Sequence, residues 1–176
     1  MANIAKVKKW DIANGRGIRT SIFFSGCDFH CPSCFNSEIW DFDIGGCFTR
    51  EFYESVIKPT INEHVSGISL LGGEPLHPKN IRAARQLCEW FKQDFPEKSI
   101  WLWTGYSFEE VVTLKLYNGN TAMDMNVLLD LVDVIIDGQF IESEKDLTLH
   151  WRGSRNQRVI DLQKSLAKHE IVLYSD

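Results

Sequence analysis

The 176-residue chain carries 19 Lys and Arg against 24 Asp and Glu, a net charge of −5. A protein that binds nucleic acid through phosphate contacts needs a basic excess, so nucleic acid is not an expected partner. Hydrophobic residues at 44% and charged residues at 24% exclude a disordered chain, and an eight-unit α/β barrel, at ~250 residues, is too long to fit. Met1 to Trp10 (MANIAKVKKW) has lysines but no apolar core segment or small-residue cleavage site. No apolar run approaches the roughly 20 residues that span a bilayer. One cytoplasmic domain over residues 1–176, with no membrane contact, is the expectation.

Strand and helix patterns alternate along the chain. Thr20–Ser25, Gly67–Leu71, Ile100–Thr104 and Val134–Asp137 are short apolar runs that end at or near glycines. Arg158–Ile160 and Ile171–Tyr174 are weaker strand candidates. Between them, Thr49 can cap a helix through Phe52, Val56 and Ile57 that Pro59 ends or kinks. Ile81, Ala84, Leu87, Cys88, Phe91 and Phe95 repeat at helical spacing. Ser107 and Glu110 have capping-box spacing, and residues 126–133 predict another helix. Near-continuous apolar strands alternating with helices predict an α/β fold with buried parallel strands. Ligands of such folds sit at the carboxyl ends of the strands.

The first of these strands runs into Gly26-Cys27-Asp28-Phe29-His30-Cys31-Pro32-Ser33-Cys34, a C-x3-C-x2-C spacing. Three thiols this close, among five cysteines in all, point to metal or redox chemistry rather than to a disulfide framework. Soft thiolates suit iron–sulfur clusters, zinc or copper(I). A cubane cluster on three cysteines keeps one iron open to a ligand. Zinc with His30 as fourth ligand is an alternative, although His30 adjoins Cys31 and its ring would have to bend back. Packing as three small hydrophobes is the plainest reading, opposed by Pro32 and the polar Asp28, His30 and Ser33. Cys88 lies on the apolar helix stripe and reads as core. Cys47 follows Gly45-Gly46 in a loop and stays outside the ligand set.

After the second strand comes Gly72-Gly73-Glu74-Pro75. Paired glycines let backbone approach a ligand closely, and Glu74 can receive an ammonium group. A plain strand-to-helix turn is the other reading of this tetrapeptide.

Together, Cys27, Cys31 and Cys34 followed by Gly72-Gly73-Glu74-Pro75 resemble the radical S-adenosylmethionine (radical SAM) superfamily. Asp11 through Arg19, Cys34-Phe35-Asn36, Trp103-Thr-Gly-Tyr106, Asp133 through Gly138 and Arg152-Gly-Ser-Arg155 are similar to its glycyl-radical-activating enzymes. The resemblance implies a single radical SAM domain over residues 1–176, folded as an incomplete, open (β/α) barrel shorter than the usual six-unit core. It implies a [4Fe-4S] cluster held by Cys27, Cys31 and Cys34, and S-adenosyl-L-methionine as co-substrate. Gly72, Gly73 and Glu74 would hold its methionine end, and backbone of Ser33, Cys34 and Phe35 would meet the adenine. Thr104 and Asp137, at strand ends, are further candidates for that pocket.

The implied partner is a glycyl radical enzyme: an anaerobic ribonucleoside-triphosphate reductase first, pyruvate formate-lyase as the alternative. A flavodoxin-type protein is the implied electron donor. A non-catalytic zinc module that docks through its arginines is the rival of another class. Hydrogen-atom abstraction requires no acid or base, so no such residue is assigned. Trp101 and Trp103 read as packing, Arg152, Arg155 and Arg158 as a solvated basic stretch, and His64, His77, His150 and His169 show no ligand spacing.

Overall fold

The computed structural model describes residues 2–113 and 119–175. Seven strands form one sheet: β1 (Asn3–Asp11), β2 (Ile18–Phe24), β3 (Gly46–Cys47), β4 (Val65–Gly72), β5 (Ser99–Trp103), β6 (Val134–Asp137) and β7 (Arg158–Asp161). Their spatial order is β3-β1-β2-β4-β5-β6-β7. The middle four, β2, β4, β5 and β6, run parallel. β1, β3 and β7 join antiparallel. The sheet is therefore mixed and open, with β3 and β7 at its two edges. The expected α/β fold with parallel strands and an open sheet is present, and antiparallel strands on both sides of the parallel four are added to it.

The strand absent from the sequence reading is β1. Its lysines at 6, 8 and 9 conceal it, and they are tolerated because two-residue β3 covers only Asn3 and Ile4. The rest of β1 is in effect an edge, where lysines discourage further pairing. The predicted strand over Ile171–Tyr174 is reduced to an isolated bridge between Leu173 and Ile160.

Helix α1 (Arg50–Phe52) starts at Thr49, whose hydroxyl accepts from Phe52 N. It continues as a π-helical turn over Tyr53–Ile57 and a 3-10 turn over Lys58–Thr60, where Pro59 ends it. The other helices are α2 (Ile81–Asp94), α3 (Phe108–Thr113), α4 (Gly119–Leu131) and α5 (Leu162–Lys168). The capping box at α3 is formed: Glu110 accepts from Ser107 N at 2.8 Å while Ser107 Oγ accepts from Glu110 N at 3.3 Å. No helix among the described residues is long and apolar enough to cross a membrane.

The two-residue period of a strand sorts the core into two faces. Ile22, Phe24, Ile68, Leu70, Ile100, Leu102 and Ile135 share one buried cluster with Leu87, Cys88 and Phe91 of α2 and Leu128 of α4. The alternate positions Trp101, Val134, Ile136 and Val159 form a second cluster, against Trp103, Trp151 and Tyr174. Helical residues pack on the first face only. The second face carries the cavity.

Candidate functional site

A cavity of about 500 Å³ opens at the carboxyl ends of β2, β4 and β5. Its wall includes Cys27, Cys31 and Cys34, the segment Gly72-Gly73-Glu74, and Thr104. Phe23, Leu71 and Trp103 supply its apolar floor. Two motifs 38 residues apart (Cys34 to Gly72) thus meet in one space because β2 and β4 are parallel neighbours that end side by side, with Phe24 opposite Gly72.

The cysteine loop is shaped by backbone bonds. Gly26, at φ +90°, turns the chain off β2, and a β-carbon there would collide with the Phe42 ring. Gly26 N then donates to Ile39 O and Cys27 N to Trp40 O. Cys31 and Cys34 are joined by a turn in which Cys34 N donates to Cys31 O at 3.1 Å, and Cys34 Sγ accepts from Asn36 N at 3.4 Å. Burial pushes the Cys27 thiol up to about 11, and burial raises Cys31 as well. The folded loop by itself therefore disfavours both thiolates.

The glycine loop leans directly on the cysteine loop. Gly73 N donates to Phe24 O and Glu74 N to Gly26 O, each at 2.8 Å. Asn80, just ahead of α2, donates from Nδ2 to both Ser25 O and Glu74 O at 2.9 Å, so one amide ties the two loops. Glu74 is almost fully buried. Its Oε1 accepts from Leu76 N and Thr104 Oγ1 at 2.9 Å, and its Oε2 from Gly105 N at 2.7 Å. Burial nevertheless raises its carboxyl to about 7, against the opposing pull of those three donors.

Of the remaining residues singled out from the sequence, Phe35 lines the cavity and meets Phe140 edge-on with ring centres 5.3 Å apart. Ser33, at φ +57°, sits in the turn with its hydroxyl bonded to Glu142, and its side chain is outside the cavity lining. Asp137 is turned away from the cavity. Its carboxylate accepts from Phe108 N at 2.7 Å and pairs with Arg158. Cys47 is exposed on β3, Cys88 is fully buried in α2, and His30 packs edge-on against Trp40.

The arginines do not form one solvated stretch. Arg158 bridges Asp137 and Glu109, Arg155 pairs with Asp146, and Arg152 lines the cavity. Asn80 and Arg152 are the residues a motif reading passes over. The only signals for them are Asn80's place ahead of a helix and Arg152's place in the Arg152-Gly-Ser-Arg155 resemblance.

The donor set fits a cluster better than a single ion. Among the described residues, no three His, Cys, Asp or Glu side chains are grouped to hold one metal ion. A tetrahedral zinc site draws its ligands onto one centre. In a cubane each thiolate takes its own iron, so the thiols need only face a common space, as Cys27, Cys31 and Cys34 do here.

Comparison with known proteins agrees with this chemistry. Residues 13–160 match the 4Fe-4S single cluster domain family. The anaerobic ribonucleoside-triphosphate reductase-activating protein of Salmonella typhimurium is 40% identical over 156 residues, covering 87% of this chain and 94% of its own. That of Escherichia coli K12 is 39% identical over 155 residues, at the same coverage. That of enterobacteria phage T4 is 36% identical over 170 residues, 96% of this chain and 99% of its own. The chain belongs to the 4Fe-4S single cluster family that includes the anaerobic ribonucleoside-triphosphate reductase-activating proteins.

Proposed function

We propose that the protein activates an anaerobic ribonucleoside-triphosphate reductase by radical SAM chemistry. A [4Fe-4S] cluster held by Cys27, Cys31 and Cys34 would pass one electron, supplied by a flavodoxin-type donor, to bound SAM, releasing methionine and allowing a hydrogen atom to be taken from a backbone glycine of the reductase. The products are 5′-deoxyadenosine and a glycyl radical. The observation that carries this reading is the meeting of the three-cysteine loop and the Gly72-Gly73-Glu74 loop in one cavity.

The chain's own residues bind, orient and exclude water. Cys27, Cys31 and Cys34 give up their protons to hold the cluster. Gly72 and Gly73 present backbone to the methionine end. Glu74, held by Thr104 and Gly105, offers its remaining lone pairs to the ammonium group. Phe35 and the backbone of Ser33 and Cys34 border the place for adenine. Phe23, Leu71 and Trp103 keep the floor apolar. Asp137, at the end of β6, acts here through Arg158 and α3 rather than on the cofactor.

The test is anaerobic reconstitution with iron and sulfide, reduction, and addition of SAM with the reductase. The reading expects methionine and 5′-deoxyadenosine in equal amounts. A reconstituted, reduced protein that leaves SAM intact in the presence of the reductase contradicts it.

A further inference from the structure

The cavity has three charged residues in its wall: Glu74, Asp146 and Arg152. Both carboxylates already have partners within the fold. Glu74 takes its three donors from Leu76, Thr104 and Gly105. Asp146 accepts from Thr148 N, Thr148 Oγ1 and Arg155 Nε. Arg152 differs, because its Nε is buried and has no hydrogen-bond partner. A buried N–H without a partner costs about 1–3 kcal/mol, and one on a cation more, so such a group calls for a ligand. The neighbouring arginines show the contrast, each being paired with a carboxylate of this chain.

We propose that Arg152 is the carboxylate-binding residue of the cavity and takes the α-carboxylate of SAM. The inference rests on the SAM reading above and adds the residue that answers the negative end of the amino-acid moiety. The chemistry selects a carboxylate. Guanidinium presents Nε and one Nη as a planar fork that matches two carboxylate oxygens, and Nε is the atom left without a partner. Arg152 is also the sole cation in the cavity wall among the described residues. With the carboxylates Glu74 and Asp146 in the same wall, the cavity holds groups of both signs, as a zwitterionic amino acid requires. The chain next to Arg152 passes close to two rings: a β-carbon on Gly153 would lie 3.1 Å from the Phe140 ring and 3.2 Å from that of Phe35.

The test compares equilibrium binding of SAM and of decarboxylated SAM to the anaerobically reconstituted protein and two variants. Decarboxylated SAM keeps the sulfonium, the ammonium and the adenosine and lacks only the carboxylate. Arg152→Met keeps the aliphatic stem and removes the fork. It should weaken SAM roughly ten- to a hundredfold, leave decarboxylated SAM within about twofold, and leave iron content unchanged. Arg152→Lys keeps the charge without the fork and should lose several-fold on SAM alone. Unchanged SAM affinity in both variants overturns the assignment. So does equal weakening of the two ligands, which would place Arg152 against the adenosine or in the wall itself. So does weakened binding of the reductase with SAM affinity intact. A wild-type protein that binds neither ligand overturns the SAM reading as a whole, whereas wild-type binding without discrimination by the variants overturns Arg152 alone.

Discussion

A β-carbon on Gly73 would lie 2.3 Å from the carbonyl oxygen of Gly26. The glycine that the sequence suggests is reserved for a ligand is therefore also reserved for the cysteine loop. The two loops are in backbone contact there, reinforced by the bond from Glu74 N to Gly26 O. Backbone cannot move aside as the tip of a side chain can. Gly73→Val should thus displace the segment that carries Cys27, at a cost at or above the ~1–3 kcal/mol of ordinary overpacking. The expected outcome is a loss of iron incorporation together with SAM binding, measured as iron per chain after reconstitution. Full iron content with SAM binding lost would show that the glycine serves the ligand alone.

The cysteines divide into three that face the cavity and two that do not. Cys27→Ala, Cys31→Ala and Cys34→Ala should each abolish stable loading of iron and acid-labile sulfide. Cys47→Ala, exposed on β3, and Cys88→Ala, buried in α2, should both load normally. Determination of iron and sulfide on the five variants checks this. A Cys34→Ala protein with a full complement would remove that thiol from the ligand set.

Much of this site is legible in the sequence because it is local. C-x3-C-x2-C and Gly-Gly-Glu-Pro are contiguous, and each follows an apolar strand whose end fixes where it must lie. Asp137 is legible as a strand end but not in its direction. Ile135 faces the helices and Ile136 the cavity side, so the two-residue period turns Asp137 toward the helices. There α3 and Arg158 receive it. Asn80 reaches back 55 residues to Ser25, and Arg152 shares the cavity wall with Glu74, 78 residues before it, so only the assembled sheet brings them to the site. β1 was hidden by its lysines, whose placement depends on how short β3 is.

Breaking the Asp137–Arg158 pair should cost stability without emptying the cluster site. Asp137 is buried and Arg158 about one-third exposed. Arg158→Met leaves a buried carboxylate with only backbone donors, and should lower unfolding free energy by about 2–3 kcal/mol, below the full value for a wholly buried pair. Glu109→Gln removes only the exposed arm and should cost under about 1 kcal/mol. Denaturant titration of the variants measures both. Equal effects would mean that the buried arm contributes nothing extra.

Asp11 gives a pH dependence of defined sign. Burial works against its ionisation, but hydrogen bonds from Ser21, Ala13, Asn14 and Lys8 outweigh burial and hold the carboxyl at about 2 rather than 3.8. A depressed folded-state value stabilises the protein above the unfolded value, and that contribution is lost as pH falls toward about 2. The stability difference between wild type and Asp11→Asn should therefore shrink by up to about 2 kcal/mol between pH 5 and pH 2. A difference that stays constant over that interval, followed by denaturant titration, contradicts it.

The central claim is that this cavity delivers a radical to a glycine of the reductase, and electron paramagnetic resonance of the reductase tests it most directly. The wild-type protein, anaerobically reconstituted and reduced, is incubated with SAM and the reductase. The account predicts a carbon-centred doublet on the reductase that requires SAM, disappears with Cys34→Ala and survives Cys88→Ala. SAM cleaved to 5′-deoxyadenosine with no such doublet, or a doublet that persists in Cys34→Ala, would contradict it.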